Sequence, residues 1–517
     1  MIILRLILST LVTWVLSTSA LLAQDVTLTS RDGSMVIEGV LISFDGEYYQ
    51  IDSTYGELTL DATGVTCDGP GCPSVDDFTA HLRIVGASTA GQTLLPELIR
   101  AFAGQEGLTV RRISYTDRLF SLQLLDNSSQ TQAEFAFDLS TTEQGFAALA
   151  ADSADMVLAS REVSDAEAEQ IIHSGLGDMR DAQRSRLLAL DALVPIVSTE
   201  NSLRQISADA LLAVLSREIT DWAMLSETDE PIRILLPPEN SGIGHVLKAQ
   251  FGLENYPPEA LIISDPDMLA DMVANDPFAI GLTRLSDRGS ARTLPITGAC
   301  SAALFATDLS VKTEDYPLPA PVFLYTPAQR LPRIARTFLR FLDSETAQNI
   351  VSRAGFTNQM IERIPLSTQG IRVAHAVQQA GSEVTLPDLQ LVIAEMQRAD
   401  RLSLSFRFRP GSTALDSQSR ANVRRLAELL ESGAFDGQEL LFAGFSDGEG
   451  AASANRDIAQ RRAETVLAAV AEAADLMDES RITLRAQGYG EALPIACDDS
   501  EWGRESNRRV ELWVHRP

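Results

Sequence analysis

The sequence predicts an α/β protein built from three folded blocks, and three observations point there. Residues 25 to about 75 alternate apolar and polar positions between Gly and Asp turns, which is the pattern of a small β module. Residues 80 to about 370 alternate strand and helix signals over a length that suits two α/β lobes. Residues 401–517 repeat the alternation in the order βαβαββ. A chain of 517 residues should contain about three domains.

The start of the chain reads as an address. Met1-Ile2-Ile3-Leu4-Arg5 is short and basic, Leu6 to Leu22 is an apolar run, and Ala23 offers a small residue for cleavage. Residues 1–23 are therefore expected to be a secretory signal peptide, with an uncleaved anchor as the rival. No Cys follows the run, so bacterial lipid attachment is not indicated.

Composition narrows the partners. A formal charge of −29 repels nucleic acid and anionic bilayers. The His residues show no metal-ligand spacing, so neither a metal nor a cofactor is expected. Cys67 and Cys72 flank Asp-Gly-Pro-Gly, a tight loop that could bring both sulfurs together, and export favours a disulfide there. Cys300 and Cys497 fall in different blocks, and their pairing stays open.

In the first block, Val36–Ile42, Tyr48–Ile51 and Glu57–Leu60 are the strand candidates, a hairpin pair or half-barrel closed by the Cys67/Cys72 loop. The second block opens with the strand Leu82-Arg83-Ile84-Val85. The turn Gly86-Ala87-Ser88-Thr89-Ala90-Gly91 follows, then a helix with Leu94, Leu95, Leu98, Ile99 and Phe102 on one stripe. Ile232–Leu236, Pro237–Gly244 and the helix from His245 repeat the device. Each turn sets hydroxyls and free N–H groups at a helix start, which favours an anion in the crevice between two lobes.

This block resembles the periplasmic solute-binding proteins of the phosphate-binding (PstS-like) kind. Gly86-Ala87-Ser88-Thr89 is similar to the family's opening G-S-S-T. Ser216-Arg217-Glu218-Ile219-Thr220-Asp221-Trp222 is similar to its central motif. Tyr316-Pro317-Leu318, Phe338–Ser344 and Ala354-Gly355-Phe356 are similar to its closing one. The resemblance implies a two-lobed type 2 periplasmic binding protein fold and a small oxyanion such as phosphate, held by Ser88, Thr89, Ser160, Ser241 and Gly242. Pro237 stands where the family carries an Arg, and Ile243 where it carries a Thr. The family's Ala-Ser-Asp reads Ala159-Ser160-Arg161, which makes Arg161 the candidate replacement charge. An ABC permease is left open as a further partner.

Residues 371–400 read as a helical linker interrupted by Gly381 and Pro387. In the last block Asp447 closes the apolar strand Glu439–Phe445, and Arg462 lies two turns into a helix that Asn455 can cap. Gly444-Phe445-Ser446-Asp447, then Asn455 to Ala463, then Asn507-Arg508-Arg509-Val510-Glu511 resemble the OmpA-like peptidoglycan-binding domain. The resemblance implies an α/β sandwich in which Asp447 and Arg462 grip the amine and carboxylate of diaminopimelate, with Asn455 and Arg508 beside them.

The expectation is therefore a periplasmic binding protein, not an enzyme, that takes a small oxyanion and is anchored to peptidoglycan near the outer membrane. The alternative is a ligand-free scaffold or interaction protein on the same fold, tethered to the wall. Gly444-Phe445-Ser446-Asp447-Gly448 also fits the G-x-S-x-G nucleophile elbow, but a loop intervenes before the helix and the one later His, His515, ends the chain.

Overall fold

The computed structural model describes residues 25–74, 78–253, 255–298, 300, 303–379, 383–409 and 412–515. The expected signal peptide, residues 1–23, lies outside them. No helix among the described residues is long and apolar enough to cross a membrane.

The first block is a five-stranded antiparallel sheet. Its order is Gly56–Asp61, Tyr48–Ser53, Val36–Phe44, Asp25–Ser30 and Val65–Asp68. Val26, Leu28, Ile37, Tyr49 and Ile51 supply its small core. Cys67 and Cys72 are disulfide-bonded, with Cα atoms 5.7 Å apart. Asp45 and Glu47 dock this sheet on the next block through ion pairs to Arg330 and Arg336.

The first lobe is a seven-stranded sheet in which Ala80–Ala87 lies centrally, parallel to both Met156–Ala159 and Thr131–Ser140. Leu94–Gln105 covers it with Leu94, Leu95, Leu98, Ile99 and Phe102, all fully buried. Gly86 makes the exit turn possible. Its φ is +131°, and a Cβ there would lie 2.1 Å from the carbonyl oxygen of Leu158. The second lobe is a five-stranded sheet centred on Ala279–Arg284. Two crossings join the lobes, one through Leu190–Leu193 and one through Leu318–Ala320. They are tied by hydrogen bonds from Leu193 N to Leu318 O and from Ala320 N to Asp191 O.

The C-terminal sheet has the order Arg363–Pro365, Ala399–Phe406, Val510–His515, Glu439–Gly444 and Thr483–Gly488. Ser417–Glu431 and Ala452–Ala473 cover one face. A further helix, Glu501–Asn507, precedes the last strand and has no counterpart in the sequence reading. The stretch read as a linker forms Gly370–Gln379 and Leu386–Met396. Both pack on the opposite sheet face: Ala376, Leu389, Val392 and Met396 share a core with Leu441, Ala443 and Trp513. It is a structural layer as much as a connector, because an isolated sheet face of this kind would otherwise stand in water.

This last domain is fastened to both lobes. Cys300 of the second lobe is disulfide-bonded to Cys497. Arg401 donates to both oxygens of Asp315 at 2.7 and 2.9 Å, and Arg407 pairs with Glu314 at 3.0 Å. On the first lobe, Glu162 accepts from Ser417 N, and Arg424 donates to Ala182 O. Beneath these contacts Glu511, fully buried, meets Arg372, Arg401 and Arg509. Burial opposes its charge, but the three guanidiniums hold its carboxyl well below the usual carboxylate range.

Candidate functional site

Between the lobes lies a cleft of about 820 Å³. Its lining includes Ser88, Thr89, Ser160, Ser241 and Gly242. Gly242 of the second lobe packs tightly on Ser160 of the first: a Cβ there would fall 2.2 Å from Ser160 Oγ, and 3.7 Å from a guanidinium nitrogen of Arg284. Only glycine lets the second lobe's helix approach that far.

Local structure explains the hydroxyls. Ser88 opens a helix of five residues, Ser88–Gln92, that breaks at Thr93 before the longer one begins. Ser241 is the N-cap of Gly242–Phe251, its Oγ accepting from Gly244 N at 3.1 Å. With one lone pair taken by the cap, its O–H remains to donate to a ligand. Ser160 is buried beside Thr142, their hydroxyls 3.2 Å apart.

Arg161 does not line this cleft. Two carboxylates claim it: Glu143 and Glu167 each approach within 2.9 Å, and Glu167 is fixed there by its capping box with Ser164. Burial works against the guanidinium's charge, but Glu167 and Glu143 hold its pKa above its ordinary value. Its nearest use is a clasp, because Glu143 also meets His245 of the second lobe at 2.9 Å.

The cleft's cations are Arg284 and Arg118 instead, neither of them among the residues singled out from sequence. Arg284 ends the fully buried strand Ala279-Ile280-Gly281-Leu282-Thr283, and a charge at the end of such a strand was the available signal. It is 6% exposed, donates to Ala320 O at 2.9 Å and stands 3.6 Å from Asp191. Arg118 sits exposed at the rim beside Asp117. Asp287 also faces the cleft; burial, with Asp191 adding repulsion, pushes its carboxyl up to about 7. Near neutrality that group can be protonated and present a donor to an anion.

In the C-terminal domain Asp447 and Arg462 fall in one neighbourhood. Asp447 is 9% exposed, and its Oδ2 accepts from Arg508 at 2.8 Å. Arg462 and Arg508 line a second chamber, of about 870 Å³. No ion pair or hydrogen bond engages the Arg462 side chain among the described residues, and its guanidinium lies 5.8 Å from the centre of the Phe408 ring. Burial lowers its pKa, Asp447 opposes that, and Arg508 adds to it. A half-buried guanidinium without a partner can serve an incoming carboxylate.

Asn455 does not cap the helix. Ala452–Ala473 begins with Ala451 as N-cap and no side-chain cap, so Asn455 already lies inside its first turn. It is 2% exposed and faces Glu491.

Comparison with known proteins agrees with this division. Residues 79–346 match the model of the PBP superfamily domain, and residues 407–508 match the OmpA family. Outer membrane porin F of Pseudomonas fluorescens is 32% identical over 121 residues, 23% of this chain and 35% of that protein. The chain thus spans about a third of that relative's length. Among solved structures, an ABC-type phosphate transport receptor from Vibrio cholerae covers 53% of this chain and 98% of its own, at 17% identity and a TM-score of 0.40. PstS from Borrelia burgdorferi covers 54% and 98%, at 18% identity and a TM-score of 0.37. With more than half its length matched by that first model, the chain belongs to the PBP superfamily and carries a C-terminal OmpA-family domain.

Proposed function

We propose that this protein binds a small, phosphate-like oxyanion between its lobes and is held to peptidoglycan, in the periplasm, by its C-terminal domain. The wall half rests on one observation: Arg462 is half-buried beside Asp447 and has no ion-pair or hydrogen-bond partner among the described residues, so a zwitterion has an acid for its amine and a cation for its carboxylate. The solute half is supported by the nearly buried Arg284, by the donors of Ser88, Thr89 and Ser241, and by Asp287, whose protonated form would suit a partly protonated anion. No bond-making step belongs to this reading.

A second reading, in which the two-lobed domain has no solute and acts as a platform, draws on a specific observation. Asp191 offsets Arg284, and Glu143 with Glu167 offsets Arg161, so little uncompensated positive charge reaches the cleft. Calorimetric titration with phosphate and sulfate separates the two. Heat that saturates with either anion supports the first, and silence across both leaves the platform. For the wall half, retention on purified sacculi by the intact protein and its loss in Arg462→Ala are expected; equal retention of both removes that half.

A further inference from the structure

The chamber that Arg462 lines is not a feature of the C-terminal domain alone. Its far wall is the solute-binding domain, which contributes Glu162, Val246, Glu314 and Tyr316. At about 870 Å³ it is at the size of sites that enclose whole small ligands, roughly 300–1,000 Å³, and exceeds what one amino-acid side chain would fill.

Both signs of charge line each wall: Arg161 stands with Glu162 and Glu314 on the solute-binding side, and Glu501 and Glu505 with Arg462 and Arg508 on the other. Arg462 has no ion-pair or hydrogen-bond partner among the described residues. Asp416 of the C-terminal domain also lines the chamber. Glu314 is 6% exposed; its Oε2 pairs with Arg407, while its Oε1 has no hydrogen-bond partner. A buried carboxylate oxygen left without a donor costs about 1–3 kcal/mol, so a ligand that brings an N–H there recovers that cost. Burial and the neighbouring Asp416 also push the Glu314 carboxyl up to about 8, so near neutrality it is largely a neutral acid whose carbonyl oxygen can still accept an N–H. Val246 and Tyr316 add apolar surface on the solute-binding side.

We propose that this chamber is the second half of the wall-peptide site. With the diaminopimelate end group held by Asp447 and Arg462, the attached peptide crosses the chamber against the solute-binding domain, with an N–H donated to Glu314. This rests on the wall-binding reading and adds a partner surface to it. The site is complete only because the two domains are docked, through Cys300–Cys497, Arg401–Asp315 and Ser417–Glu162.

The test compares two probes on the full-length chain, free diaminopimelate and a soluble tripeptide that ends in it, by calorimetry. The intact protein is expected to bind the peptide roughly tenfold more tightly than the free amino acid. Val246→Trp, which narrows the chamber from the solute-binding side, and Glu314→Leu, which removes the acceptor, should each erase that margin and leave affinity for free diaminopimelate unchanged. Equal affinity for both probes in the intact protein, or a margin that survives both substitutions, overturns the composite site and leaves the wall reading standing. Failure of the intact protein to bind either probe overturns both.

Discussion

Arg161 and Arg462 line opposite walls of one chamber, and the structure uses them in opposite ways. Arg161 follows a buried strand and is taken at once by Glu143 and Glu167. Arg462 projects from a long helix whose nearby acid, Asp447, is already engaged by Arg508. A guanidinium becomes a binding group only where local carboxylates are too few to satisfy it. The residue type is the same; the neighbours decide.

The Glu511 network is the extreme of the satisfied kind, and it should give the largest effect. Glu511→Ala removes the buried anion from Arg372 and Arg509, while Arg401 keeps Asp315, and loss of one partner from a buried ionic cluster costs about 3–5 kcal/mol. Chemical unfolding should show it, and a loss below about 1 kcal/mol would mean that water reaches the cluster. Arg462→Ala is the opposite case. It should lower affinity for sacculi by roughly ten- to a hundredfold, as for one charged hydrogen-bonded contact, with almost no change in unfolding midpoint. A clear drop in stability would show that the guanidinium has a structural partner after all.

A pH series sharpens the picture of the cleft. Asp287 is protonated below about 7 in the folded protein, so anion binding is favoured there and should weaken as pH rises through that value. Sulfate is the cleaner probe, since its charge is constant over the range. Asp287→Asn should flatten the profile; an unchanged slope would place the titration elsewhere. The same shift lowers folding stability as pH climbs from 3.8 toward 7, because the unfolded chain gives up that proton first. The smallest effect belongs to Arg161→Ala. It should leave anion affinity within about twofold and cost roughly 1 kcal/mol of stability, typical of a partly exposed ion pair. A tenfold loss of anion binding would return Arg161 to the cleft.

Much of the fold was legible because periodicity carries it. The stripe of Leu94, Leu95, Leu98, Ile99 and Phe102 and the largely apolar runs at 82–85, 232–236 and 440–445 name their elements without tertiary help. The turn hydroxyls Ser88, Thr89 and Ser241 were legible for the same reason, since strand-to-helix turns have a local signature. Charge partners were not. Arg161 looked free in sequence because Glu143 lies 18 residues away and Glu167 across a turn. Asn455 looked like a cap because the true start, Ala451, bears no capping side chain. Arg284 gave a faint signal at its strand end, and Glu314 gave none.

By itself, then, the chain's pattern of apolar spacing, glycine turns and the Asp447/Arg462/Arg508 set determined two folded architectures and which residue types each would offer a ligand. Only the tertiary structure decided which arginines are neutralised, that Cys300 meets Cys497, and that the C-terminal domain lies across both lobes to close a chamber with them. The physical reason is range. Backbone periodicity is set within a few residues, whereas electrostatic partnership depends on which side chains folding brings within about 4 Å, whatever their separation in sequence.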